Sequence, residues 1–246
     1  MPDLAFTLVD ESSFDAIPAP ARPGSRCQTC DYWERIDGSR EASGSSAARE
    51  LKLARLMAGA RLAGAYGMLA WRTDASGDRI AVGWAQFGPI SAYPRAGVIR
   101  ERYPELPDSP APWVITCLQV PADVADRKAV AAALLAAVCD ELDRRGITAV
   151  EAYPEGVDDP WLPSAGPAST YESVDFDHVA GDERYPVMRR ELAGAAADIG
   201  WGDLLSHTKP TDDGGDWPLP LPKRPSDDDL FRLPEKPKRH NPFGDD

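Results

Sequence analysis

The chain has 246 residues, enough to bury a full core, and 43% of them are hydrophobic, as in a globular protein. Against 27 Lys and Arg stand 40 Asp and Glu, a formal charge of -13, the opposite of the basic footprint that phosphate backbones attract, so nucleic acid is excluded as the expected partner. The 24 prolines are about twice the usual share of roughly 5% and put part of the chain outside a packed core.

The N-terminus, MPDLAFTLVDESSF, has no basic flank and no apolar run of signal-peptide length. The longest apolar stretch, Ala129 to Cys139, is far short of a membrane span. A cytoplasmic protein with no membrane partner is expected, its four cysteines kept as thiols. In chain order, 6–9 reads as a short strand, followed by a Pro/Ala/Gly stretch over 18–24 and the cluster Cys27-Gln28-Thr29-Cys30-Asp31-Tyr32-Trp33-Glu34. From Ser46 to Leu62, the residues Leu53, Leu56, Met57 and Ala60 recur at helical spacing with Arg49, Lys52 and Arg55 between them, which predicts an amphipathic helix.

Two runs, 65–72 and 79–87, flank Asp74-Ala75-Ser76-Gly77-Asp78, whose Asp and Gly supply the turn of an antiparallel hairpin. A proline-dense stretch, 89–112, reads as a loop and leads into Trp113-Val114-Ile115-Thr116-Cys117-Leu118-Gln119-Val120, a strand covered on both faces. A helix is predicted from about Asp126 to Arg145, with Val130, Leu134, Val138 and Leu142 on one face and Gly146 as its stop. The strand 147–153 ends at Pro154, so strand, helix and strand imply a parallel pair with a right-handed crossover. A short helix near 169–174, a strand at 176–179 and a last strand at 185–192 follow, then an Ala-rich segment that could make one more helix. Beyond Lys209 the composition collapses into Pro, Asp, Lys and Gly, which predicts disorder. The expected division is one domain over 1–200 and a tail over 201–246.

The hairpin, the strand Trp113 to Val120, the long helix, the strand Thr148 to Tyr153 and Tyr171-Glu172-Ser173-Val174-Asp175-Phe176 together resemble the GNAT superfamily of N-acetyltransferases, over about 64–192. The resemblance implies a mixed α/β fold with a splayed central sheet flanked by helices. In that family a glycine, part of a Q/R-x-x-G-x-G/A loop that opens the long helix, comes nine positions after the last residue of the central strand; here Val120 is followed at that distance by Ala129, within Asp126-Arg127-Lys128-Ala129-Val130-Ala131. It further implies acetyl-CoA as cosubstrate, its pyrophosphate bound by amides of Arg127, Lys128, Ala129, Val130 and Ala131 at the helix N-terminus. The backbone of Leu118 and Val120 would pair with the pantetheine arm. Tyr171, four residues before Asp175-Phe176, would be the general acid to the leaving thiolate, a role suited to a phenol with a pKa near 10.

Three positions depart from the family pattern. Asp126 stands for Gln or Arg, Ala129 for Gly, and Asp175 for the Gly before Phe. A carboxylate at a pyrophosphate mouth is repulsive, and a methyl hinders close backbone approach. These departures motivate the rival expectation, a catalytically idle fold that acts by binding.

Glu151 on the strand after the long helix could deprotonate an acceptor amine, a small molecule or a peptide, which an acidic surface would attract if cationic. Tyr32-Trp33-Glu34 could line the acceptor pocket. Cys27-x-x-Cys30 could be half of a zinc site or a redox pair, but no second pair follows at ligand spacing, so no metal is expected. No Ser/His/Asp set and no phosphate loop is readable.

Overall fold

The computed structural model describes residues 4–21, 24–36, 45–108, 110–157, 159, 161 and 163–193. The expected Ala-rich helix after Leu192 and the tail from 201 lie outside these residues.

Seven strands form one mixed sheet in the order β1-β2-β3-β4-β5-β7-β6. The strands are β1 (Leu4–Leu8), β2 (Gly67–Thr73), β3 (Arg79–Pro89), β4 (Trp113–Gln119), β5 (Ala149–Ala152), β6 (Asp177–Ala180) and β7 (Val187–Glu191). β2 and β3 make the expected hairpin, with Asp74 Oδ1 accepting from the amides of Ser76 and Asp78 in its turn. β4 and β5 are parallel as expected, but they pair only from Trp113–Val150 to Ile115–Ala152. Beyond that point β4 runs on to Gln119 beside β3 alone, and the sheet opens into a wedge. The last of the described strands, β7, is not at an edge: it lies between β5 and β6.

The helices are α1 (Ser46–Ala63), α2 (Pro94–Arg100), α3 (Arg127–Arg144) and α4 (Ala168–Glu172). α3 buries Val130, Leu134, Val138 and Leu142, the face read from the sequence. Gly83 of β3 admits it: a Cβ there would stand 3.2 Å from Leu134 and 3.4 Å from Val130. The helix ends at Gly146 with φ +74, Gly146 N–H donating to Asp143 O and Ile147 N–H to Leu142 O, the Schellman pattern.

α1 lies against the other face of β3, where Gln86 points, three residues from Gly83 in a structure of period two. Ser45 caps it, its hydroxyl accepting from Ala48 N–H at 3.1 Å. Its buried line is Lys52, Leu56 and Gly59, not the line through Leu53 that apolarity alone suggests. Gly59 is required, because a Cβ there would sit 2.3 Å from the Tyr66 ring. Inside the proline-dense stretch read as loop, Pro94 opens α2, whose first turn needs no amide from a proline.

Candidate active site

The wedge between β4 and β5 and the start of α3 meet at one end of the sheet. At Asp126 the backbone (φ -108, ψ 42) enters α3 without a side-chain cap. The carboxylate turns instead to β2, accepting from Arg72 Nη2 at 3.0 Å through both oxygens. That hydrogen bond holds the Asp126 carboxyl below its ordinary range. The repulsive charge expected over the helix N-terminus is therefore drawn aside and neutralised.

Among the described residues, the amides of Arg127, Lys128 and Ala129 have no acceptor, as the first turn of an uncapped helix leaves them. Val130 N–H donates to Asp126 O at 3.0 Å, and Val130 and Ala131 are sealed in the core. The row of unpaired amides is thus three residues long, and the last two expected contributors serve the helix itself. Lys128 and Ala129 are exposed.

The wedge is filled by the chain's own segment 163–166. Leu118 N–H donates to Ser164 O at 2.8 Å, and Gln119 Nε2 donates to Pro163 O at 2.8 Å and Ser164 O at 3.0 Å. Trp33 Nε1 holds the Ser164 hydroxyl at 2.8 Å. Gly166, φ +72, passes so close that a Cβ would lie 2.9 Å from Leu118 O. Val120 O is taken as well, by Arg127 Nη2 at 3.1 Å, while that guanidinium stacks 4.2 Å over Trp161. The two backbone groups expected to hold a pantetheine arm are thus engaged internally. The residues fit the pyrophosphate end of acetyl-CoA; along β4 they fit its arm only after 163–166 has left.

Tyr171 of α4 is fully buried, edge-on to Phe176, and its hydroxyl donates to Ala165 O at 2.7 Å. Burial pushes its phenol well above the ordinary value, so the proton stays on. Its acceptor belongs to the segment that fills the wedge. Asp175 follows with φ 59, the one described non-glycine residue in the left-handed region, at the position where the family pattern has Gly.

Glu151 corrects the expectation of a free base. It is fully buried in β5, and its carboxylate accepts from Arg189 Nη1 at 2.6 Å, Arg100 Nε at 3.2 Å and the Tyr153 hydroxyl at 2.6 Å. Two guanidiniums that fix the charge in place make it a tie between β5, β7 and α2, with no side open to an amine.

A second polar cluster is invisible in the order of the sequence. Lys52 Nζ, 3% exposed, donates to Glu34 Oε1 at 2.5 Å and to Gln86 Oε1 at 2.9 Å. Gln86 Nε2 donates to Glu34 Oε1 at 2.9 Å and to the Tyr93 hydroxyl at 3.2 Å, and Cys117 Sγ lies 3.7 Å from Gln86 Oε1. The only trace in the sequence is a lysine four residues before Leu56, on its helical face. All four cysteines are free thiols; burial pushes Cys27 up to about 12 and Cys139 up to about 11. Among the described residues no cluster of His, Cys, Asp and Glu could hold a metal, and no helix is long and apolar enough to cross a membrane.

No protein-family model and no curated protein sequence matches the chain. Solved structures are similar in shape. Arylalkylamine N-acetyltransferase 2 from Aedes aegypti is 10% identical with a TM-score of 0.47, over 77% of this chain and 99% of that one. An N-acetyltransferase from Staphylococcus aureus is 12% identical with a TM-score of 0.44, over 77% and 98%. The histone acetyltransferase HPA2 and related acetyltransferase from Corynebacterium glutamicum is 17% identical with a TM-score of 0.45, over 77% and 97%. At this level of likeness, the roles of individual residues rest on the geometry above.

Proposed function

We propose that the chain is an acyl-CoA-dependent N-acyltransferase, with acetyl-CoA as cosubstrate and an amine as acceptor. The observation that carries this reading is the uncapped first turn of α3, at the mouth of the wedge, with Asp126 drawn away by Arg72. Amides of Arg127, Lys128 and Ala129, the helix dipole and the Lys128 ammonium would bind the pyrophosphate. Leu118 N–H would hold the arm once Ser164 O releases it. Departure of 163–166 also takes Ala165 O from Tyr171, leaving a protonated phenol beside the wedge as the proton donor. The cosubstrate supplies the activated acyl group.

A second reading, an idle fold that acts by binding, is favoured by one observation: Ser164 O already occupies Leu118 N–H. Calorimetric titration with acetyl-CoA separates the two. Saturable binding that is lost in the double variant Arg127→Glu/Lys128→Glu supports the transferase. Absence of binding at millimolar ligand removes it and leaves the idle fold.

A further inference from the structure

Between α2, the end of β5 and the turn that joins β6 to β7 lies a cavity of about 370 Å³, within the range of small-molecule sites. One wall is a single face of α2, because Arg95, Val98, Ile99 and Arg102 all line it at the spacing i, i+3, i+4 and i+7. Arg102 stays on that face because the chain keeps turning past Arg100, with Glu101 N–H donating to Gly97 O and Arg102 N–H to Ile99 O. Ile36 from the N-terminal segment and Tyr185 from the β6–β7 turn belong to the rest of the wall.

Large apolar side chains are left in water here. Ile36 is 68% exposed, Tyr185 50% and Val98 36%, three residues from separate parts of the chain that meet at one cavity. Such side chains mean little when scattered singly; gathered round a concavity they mark a binding surface. The charge of the lining is opposite in sign to that of the chain, which is -13 overall. Arg95 lies 3.8 Å over the Tyr32 ring, and Arg102 is exposed; neither has an ion-pair partner among the described residues. The one carboxylate in the lining is Glu155, whose Oε1 accepts from the Tyr32 hydroxyl at 3.5 Å. Two guanidiniums against one carboxylate leave one positive charge in excess.

That count selects the occupant. A cation would add to the excess, and a neutral apolar molecule would leave Arg102 unanswered. A phosphomonoester, at about -1.5 to -2 near neutral pH, would overshoot the single charge beside Glu155. A carboxylate balances it, and the guanidinium fork matches its two oxygens. The rings of Tyr32, Tyr103 and Tyr185 favour an aromatic body, since ring pairs gain more than the area they bury.

We propose that this cavity binds an aromatic carboxylate, its ring against Ile36, Val98 and Tyr185 and its carboxylate on Arg102. The four side chains that would hold it are all exposed to solvent. Its lining includes neither 163–166 nor the β4 residues of the wedge, and the proposal stands without acyl transfer.

The test is calorimetric titration of the full chain with 3-phenylpropionate, phenethylamine and hexanoate. 3-Phenylpropionate binds saturably; exchanging its carboxylate for an amine, or its ring for an alkyl chain, weakens binding at least about tenfold, a difference of about 1.4 kcal/mol. Two exposed positions assign the site. Arg102→Met keeps the stem and breaks no ion pair, so it should keep its melting temperature and lose the preference for 3-phenylpropionate over phenethylamine. Tyr185→Ala should lose the preference for 3-phenylpropionate over hexanoate. No binding of 3-phenylpropionate at tens of millimolar, equal binding of all three ligands, tighter binding of phenethylamine, or an Arg102→Met protein that binds 3-phenylpropionate as the parent does would each overturn the proposal.

Discussion

Breaking the pair between Glu34 and Lys52 tests whether the buried cluster ties the N-terminal segment to the sheet. The two side chains are 9% and 3% exposed and meet at 2.5 Å, so neither charge reaches water when its partner is removed. Lys52→Met leaves the Glu34 carboxylate with only Gln86 Nε2, one oxygen already lacking a donor; Glu34→Gln leaves the Lys52 ammonium facing two amides. Each single variant should lose about 3–5 kcal/mol, the usual consequence of stranding a buried charge. At a urea slope of about 2 kcal/mol/M that moves the unfolding midpoint down by about 2 M. The double variant Glu34→Gln/Lys52→Met strands no charge and should lose far less than the sum. Urea unfolding of the four proteins, followed by tryptophan fluorescence, gives the coupling directly. Losses that add to within about 0.5 kcal/mol would refute the reasoning, because independent sites add and a mutually dependent pair does not. The pH dependence has a definite sign. Folding lowers the Glu34 carboxyl from its ordinary 4.5, so its contribution is complete above that pH and fades as pH falls through the folded value. The parent's advantage over the double variant therefore narrows in acid below about pH 4.5.

Other perturbations address the wedge and the thiols. Asp175→Gly relieves a left-handed backbone at φ 59 and should stabilise the protein by up to about 1 kcal/mol, read as a rise in melting temperature; a fall would mean that the carboxylate makes a needed contact. Gly166→Val places a branched side chain against Leu118 O at a φ of +72 and should cost about 1–3 kcal/mol. On the transferase reading it also raises affinity for acetyl-CoA by prising 163–166 from β4, so unchanged or weaker binding counts against a displaceable segment. Arg72→Ala frees Asp126 to fold over the α3 amides; stability should hardly change, since the pair is solvent-screened, while acetyl-CoA binding weakens. Folding raises the Cys27 thiol from 9.0 to about 12, so the stability it contributes is full below 9.0 and is lost as pH rises towards 12. Cys27→Ala should flatten part of that alkaline loss in a series of melts, and an unchanged slope would show that other groups carry it.

Local and periodic features were legible in the residues. The helix 127–144, its Gly146 stop, the hairpin across 74–78 and the parallel relation of β4 and β5 follow from spacing, turn chemistry and crossover rules that act within a few dozen residues. α2 was hidden because proline density argues for loop, whereas a proline at the first helical position costs nothing. The pattern also placed the start of the helix 127–144 near Asp126; the amide row expected over Arg127 to Ala131 from the family resemblance is shorter, because Val130 N–H already donates to Asp126 O. What fills the wedge, what holds Asp126 and what surrounds Glu151 depended on partners far away in sequence: Ser164 on Leu118, Arg72 on Asp126, Arg100 and Arg189 on Glu151. A charged side chain carries the same letter whether solvated or stranded. Only the packing of α1 and residues 33–34 over β3 removed water from Glu34 and Lys52 and, by doing so, turned two ordinary surface residue types into a buried charge pair.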